Sequence, residues 1–271
     1  SHFKTGEMTN ILEKIIANKK SNIEKYKKSF SIENLKEKIS SYNNYLNFKD
    51  KLKKNKISVV AEIKKASPSA GVIVESYNPI SIAKQYLDSG ANCLSVLTEE
   101  NHFKGKLEDI TEIKKEIKLP ILCKDFFIES YQVYLARSFG ADAILIILSA
   151  VSEKTAREIY NIAEKLNMST IVEVHTSEEA KNALNFKNAI IGINNRNLKT
   201  LKTDIQTTYE LYKILSNHSG PLMCESGIKS EIEVEEIVKK TKINNFLIGE
   251  SLLKDLGKNS SLLSKILQIK A

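Results

Sequence analysis

The chain has 271 residues, of which 42% are hydrophobic and 27% charged, proportions of a folded globular protein that argue against a disordered chain and against a membrane span. Its 41 Lys and Arg against 33 Asp and Glu leave a net charge of +8, which suits anionic partners such as phosphorylated metabolites, nucleic acid or acidic lipid without choosing among them. The length accommodates one large α/β barrel or two ordinary domains.

Residues 1–7 read as a cloning remnant, because they lack the apolar stretch of a signal peptide. Residues 8–55 read as a mainly helical extension, with Asn10 as a cap and Ile11, Leu12, Ile15 and Ile16 on one face, expected to pack onto the rest of the chain. Its lysine-rich stretches, such as Lys49-Asp50-Lys51-Leu52-Lys53-Lys54, lack the interleaved aromatics of a single-strand binder. They read as solvated faces, so no nucleic-acid partner is expected.

Short β-rich runs alternating with helical periodicity predict strands at 58–63, 93–97, 120–124, 142–148, 170–174, 189–193, 221–224 and 246–248. Helix ends are marked between them. Asn78-Pro79 is a cap followed by proline in the first turn, and Gly90 closes that helix. Thr176 with Glu179 and Ser230 with Glu233 have capping-box spacing, in which hydroxyl and carboxylate each satisfy a free backbone N–H. Ser89-Gly90-Ala91-Asn92-Cys93-Leu94 and Phe139-Gly140-Ala141-Asp142-Ala143-Ile144 repeat one step from helix through glycine into strand. Eight strand-then-helix units predict a single α/β domain over 8–271, a closed (β/α)8 TIM barrel carrying the N-terminal helical extension. An open doubly wound sheet is the poorer fit, with no G-x-G-x-x-G turn after the first strand. Cys93, Cys123 and Cys224 lie in apolar runs without a C-x-x-C pair, as reduced core residues of a cytoplasmic protein do, and no metal site is expected.

Catalysis in such a barrel belongs at the carboxyl ends of the strands, where this chain concentrates its polar residues. Glu62 and Lys64 share one face of the first strand; at its mouth they can move protons or hold an anion, or form a buried ion pair. Lys124 either lines the mouth or pairs with Asp125 or a neighbouring carboxylate. Glu173, within an apolar run, has to be paired or catalytic. His175 reads as a residue satisfying a core hydrogen bond and is given no role, and His102 and His218 fall in loops. Asn194-Asn195-Arg196 offers donors to the mouth or forms a rigid loop, with Arg196 suited to a carboxylate. Ser226-Gly227 and Gly249-Glu250 follow the last two strands, where this fold frequently binds phosphate through backbone N–H groups.

In their order, Ala61-Glu62-Ile63-Lys64-Lys65-Ala66-Ser67-Pro68-Ser69, Leu94-Ser95-Val96-Leu97-Thr98-Glu99, Leu122-Cys123-Lys124-Asp125-Phe126, Val172-Glu173-Val174, Gly192-Ile193-Asn194-Asn195-Arg196-Asn197-Leu198, Glu225-Ser226-Gly227-Ile228 and Leu247-Ile248-Gly249-Glu250-Ser251 resemble the indole-3-glycerol-phosphate synthase family after Met8. The resemblance implies closure of 1-(2-carboxyphenylamino)-1-deoxyribulose 5-phosphate to indole-3-glycerol phosphate, with loss of carbon dioxide and water, in tryptophan biosynthesis. It implies neither metal nor organic cofactor. It makes Lys124 the general acid, eased by neighbouring cations, and Glu173 the base. Lys64 steadies the substrate carboxylate, and Glu62 and Glu225 hold the lysines and an intermediate hydroxyl. Asn194 and Arg196 bind the carboxylate side and Phe103 packs on the anthranilate ring. Ser67, Ser226, Gly227, Gly249 and Glu250 fall at substrate or phosphate positions. A carboxylate at position 250 repels phosphate unless it points away or caps the helix. Pro68 and Gly71 bound a loop able to close over substrate. A small phosphorylated substrate, a monomer, and no nucleic acid or membrane partner are expected. The competing readings are an aldolase with a Schiff base on Lys124 and a non-catalytic anion-binding barrel.

Overall fold

The computed structural model describes residues 10–256 and 261–271, so the cloning-remnant expectation for residues 1–7 lies outside the described residues. Eight parallel strands close into a barrel: β1 (Ser58–Ile63), β2 (Cys93–Leu97), β3 (Ile121–Lys124), β4 (Ala143–Ile147), β5 (Ser169–Val174), β6 (Ile190–Asn194), β7 (Leu222–Glu225) and β8 (Asn245–Ile248). Each strand pairs with the next in sequence and β8 returns to β1, with Ala61 opposite both Ile248 and Leu94. The observed bounds differ from the sequence expectation by at most one residue at either end of a strand.

Alternation along β1 shows how the core divides. Val59, Ala61 and Ile63 point outward into the layer between barrel and helices. Val60 points inward, beside Cys93, Leu122, Leu145, Ile171, Met223 and Leu247. Both faces of these strands are covered, which is why they read as nearly continuous apolar runs. Phe48 closes the inner cluster near the start of β2, where Cys93 Sγ donates to its carbonyl.

Two helices precede the barrel, α1 (Ile11–Ser29) and α2 (Ile32–Ser41). Asn10 caps α1 by accepting from the Glu13 N–H at 2.9 Å. Leu12 and Ile15 of α1 belong to the inner core, so the extension covers the carboxyl end of the barrel. Asn78 caps the Pro79–Asp88 helix as its sequence indicates. The Ser230–Glu233 box also forms, with the Ser230 N–H donating to Glu233 Oε1 at 2.7 Å. The Thr176–Glu179 box forms only by half. Thr176 Oγ1 accepts from the Glu179 N–H, but Glu179 Oε1 accepts from the N–H of His175 at 2.8 Å rather than from Thr176.

The loop after β1 is a small antiparallel ribbon pairing Ala66–Ser67 with Gly71–Val72. No helix among the described residues is long and apolar enough to cross a membrane. All three cysteines are buried and free.

Candidate active site

The carboxyl ends of the strands open into a cavity of about 630 Å³. Its wall contains Glu62, Lys64, Ser67, Phe103, Lys124, Glu173, Arg196, Glu225, Ser226, Gly227, Gly249 and Glu250. Asn194 is not in that wall. It is buried behind, where its amide donates to Glu173 Oε2 at 3.2 Å and its Oδ1 accepts from Ser226 Oγ at 2.8 Å and the Arg196 N–H at 2.9 Å.

Glu62 organises one side. Its Oε1 lies 2.9 Å from Lys64 Nζ; its Oε2 accepts from Lys124 Nζ at 2.7 Å and from Ser95 Oγ at 3.0 Å. Burial alone would raise the carboxyl pKa, but Lys124 and Lys64 outweigh it and hold Glu62 down at about 2. Lys124 pairs with Glu62 rather than with its sequence neighbour Asp125. For Lys124, burial opposes the charged form, yet the carboxylates of Glu62, Glu225 and Glu173 together raise its pKa. The family-based expectation that nearby cations ease its proton release is therefore corrected: carboxylates dominate around it and keep it an ammonium.

Across the cavity Glu173 and Glu225 form an acidic pair. Burial and then the Glu173 charge push Glu225 well above the usual carboxylate range, as expected where two buried carboxyls share one site. Neither Glu225 oxygen nor Glu173 Oε1 has a hydrogen-bond partner among the described residues, although all three are buried. Buried unpartnered oxygens aimed at a cavity are groups held ready for a ligand or a proton.

Two glycines create the space these acids need. A Cβ at Gly192 on β6 would collide with Glu225 Oε2, and one at Gly249 would stand 2.9 Å from Glu62 Oε1 and 3.2 Å from Lys64 Nζ. In the turn after β7, Ser226 and Gly227 have φ of 69° and 85°. A serine held in the left-handed region is the kind of backbone strain that collects at functional loops. Glu250 Oε2 lies 3.6 Å from Lys254 Nζ, so its charge is offset by a lysine that also lines the cavity.

The sequence reading missed the α1 part of the wall and two lysines. Ile11, Leu12 and Ile15 of α1 supply apolar wall, although their one-faced spacing suggested only packing. Lys229 and Lys254 line the cavity together with Gly227 and Gly249. The aromatic end is formed by Phe103, whose ring centroid is 6.2 Å from that of Phe126.

The arrangement presents two ammonium groups and three buried carboxyls around a space with an apolar end and a glycine-rich, lysine-flanked end. It can bind an elongated aromatic anion and move protons at its middle.

Comparison with known proteins points the same way. Residues 12–262 match the family described as Indole-3-glycerol phosphate synthase. A Prochlorococcus marinus protein of that name is 43% identical over 253 residues, covering 91% of this chain and 85% of the relative. One from Acaryochloris marina is 38% identical, covering 98% and 89%, and one from Endomicrobium trichonymphae 40%, covering 90% and 95%. Among solved structures, the tryptophan synthase alpha chain of Legionella pneumophila aligns with a TM-score of 0.57 at 16% identity, covering 79% of this chain and 91% of that one. A phosphoribosylanthranilate isomerase from Thermotoga maritima aligns at 0.54 and 14%, covering 78% and 97%. These two likenesses show the fold alone.

Proposed function

The chain belongs to the indole-3-glycerol phosphate synthase family, carboxy-lyases of tryptophan biosynthesis, and from that premise we propose how its own residues close the indole ring of 1-(2-carboxyphenylamino)-1-deoxyribulose 5-phosphate. The observation that carries the reading is the meeting in one cavity of the Lys64–Glu62–Lys124 chain and the Glu173–Glu225 pair.

The anthranilate ring lies at the apolar end, against Phe103 and the α1 side chains Ile11, Leu12 and Ile15. Its carboxylate faces Lys64 and Arg196. The phosphate lies at the other end, against Ser226, Gly227, the Gly249 amide and Lys254, with Ser67 on the ribbon beside it. This pose brings the ribulose carbonyl to Lys124. As the carboxyl-bearing ring carbon attacks the carbonyl carbon, Lys124 gives a proton to the oxygen. A raised amine pKa does not prevent this, because the developing alkoxide is a stronger base than the amine. Loss of carbon dioxide restores aromaticity. A second proton lets the hydroxyl leave as water, and Glu173 takes a proton from the carbon beside the ring nitrogen.

Two protons go to oxygen and one is taken from carbon. A substrate that enters as a carboxylate and leaves as carbon dioxide therefore consumes one proton per turnover. Glu62 holds both lysines, and Asn194 acts through Glu173 by fixing its Oε2. Within the same reading the chain works as a cytoplasmic monomer without a nucleic-acid partner; the site needs no second copy, since every proposed group comes from one polypeptide.

Mixing purified protein with this ribulose phosphate and following indole fluorescence tests the reading. Appearance of indole with one carbon dioxide per product supports it. Borohydride trapping of a covalent adduct on Lys124, without indole, would instead favour the aldolase.

A further inference from the structure

His175 lies directly behind the proposed base. Its Nε2 is 3.7 Å from Glu173 Oε2 and its Nδ1 is 3.6 Å from Glu179 Oε1. Neither ring nitrogen has a hydrogen-bond partner among the described residues, although both are buried. The sequence expectation of a satisfied core histidine is therefore corrected. A buried imidazole at 3.6–3.7 Å from two carboxylates is an electrostatic element rather than a packing one.

In each carboxylate the oxygen that faces the ring is also the one fixed by a hydrogen bond from elsewhere. Glu179 is fixed at the start of the Ser177–Ala183 helix by accepting the His175 backbone N–H. The same Oε2 of Glu173 that faces the imidazole accepts the Asn194 amide, and Oε1 remains unpartnered. The groups acting on the ring are Glu179 from that helix, Glu173 from β5 and the Arg196 backbone from the loop after β6. Burial disfavours its charge, but these neighbours prevail and raise its pKa from the ordinary 6.5. The groups placed around Glu173 are His175, Asn194 from β6, Glu225 from β7 and Lys124 from β3.

We propose that His175 is a positioning residue for the base: as an imidazolium held between Glu179 and Glu173, it favours the ionised form of Glu173 and leaves Oε1 free to take the proton. The inference rests on Glu173 being the base. Nothing in the proposed reaction passes through His175 itself; it acts by its charge on a carboxylate that otherwise shares a buried site with Glu225.

Removing the positive charge makes the Glu173–Glu225 pair hold its proton to higher pH, so the acid limb of kcat/KM moves up, by about one pH unit for an opposite charge at this range. His175→Gln should show that displacement with a plateau near wild type, while His175→Lys, which keeps a cation, should restore the wild-type limb. A limb in His175→Gln that coincides with wild type, or one displaced equally in both variants, overturns the proposal.

A second measurement leaves the histidine in place. Linkage is reciprocal, so Glu173→Gln should lower the pH at which the His175 ring titrates by NMR. An unchanged titration overturns the proposal. The same variant separates this inference from the reading beneath it: near-normal kcat in Glu173→Gln means that Glu173 is not the base, whereas lost turnover with an unchanged His175 titration means that only the role of His175 fails.

Discussion

Glu62 Oε2 lies 2.7 Å from Lys124 Nζ, which ties the first strand of the barrel to the third through a carboxylate that is almost entirely buried. The remaining oxygen of Glu62 holds Lys64 at 2.9 Å, so one acid spaces two cations across the cavity floor.

That arrangement sets an acid limit on stability. Glu62 sits at about 2 against an ordinary 4.5, so its contribution is fully present above about pH 4.5 and is lost as pH falls toward 2. Its size is on the order of 3 kcal/mol. Denaturant unfolding of wild type and Glu62→Gln at pH 6 and pH 3 checks this: wild type should lose stability over that interval by more than the variant does. Parallel curves would contradict it.

Gly192→Ala should disturb Glu225 without replacing any titratable group, because the new methyl meets Glu225 Oε2. Overpacking of this kind costs about 1–3 kcal/mol, and a misplacement near 1 Å in an active site lowers turnover about 100-fold. Thermal unfolding and kcat measured on one preparation test both parts. Wild-type values for both would show that the site accommodates a Cβ.

Lys254 offsets Glu250 at the glycine turn while remaining largely exposed. Lys254→Met should leave the melting temperature nearly unchanged, as exposed pairs contribute little stability. KM should rise roughly tenfold with kcat within about twofold, the signature of lost uniform binding. An unchanged KM would place the phosphate elsewhere.

Beneath the site, Lys19 of α1 is buried between Glu100 at 2.8 Å and Asp125 at 3.0 Å, and Asp125 also accepts from Thr98 Oγ1 at 2.6 Å. Breaking such a pair leaves buried charge uncompensated and costs about 3–5 kcal/mol. Lys19→Met should unfold correspondingly earlier, and Lys19→Met with Asp125→Asn should recover part of the loss. Full additivity of the two changes would contradict the pairing.

The barrel was legible because the strands are short apolar runs, several of them entered through a glycine or followed by a capped helix, signals contained within about ten residues of chain. The residues that meet in the cavity were legible because Lys124, Glu173 and Glu225 interrupt or end apolar runs, where a charge needs a reason. Lys19 was not legible: its principal partner Asp125 is 106 residues away, and within α1 it is one lysine among several. Nor could the chain alone show that Asn194 turns its amide onto Glu173 instead of into the cavity, since that depends on the register of β6 against β5 and β7. His175 was misread for the same reason. Its environment is made by Glu179 bending back past Thr176, a local choice that the capping-box spacing does not determine.

The most direct test is Lys124→Met under single-turnover conditions with 1-(2-carboxyphenylamino)-1-deoxyribulose 5-phosphate, reading substrate binding and indole formation together. Loss of the acid should slow indole formation by about 10²–10⁴-fold, while the fold and the affinity for substrate stay near wild type. Indole formed at close to the wild-type rate would contradict the role of Lys124 as the acid.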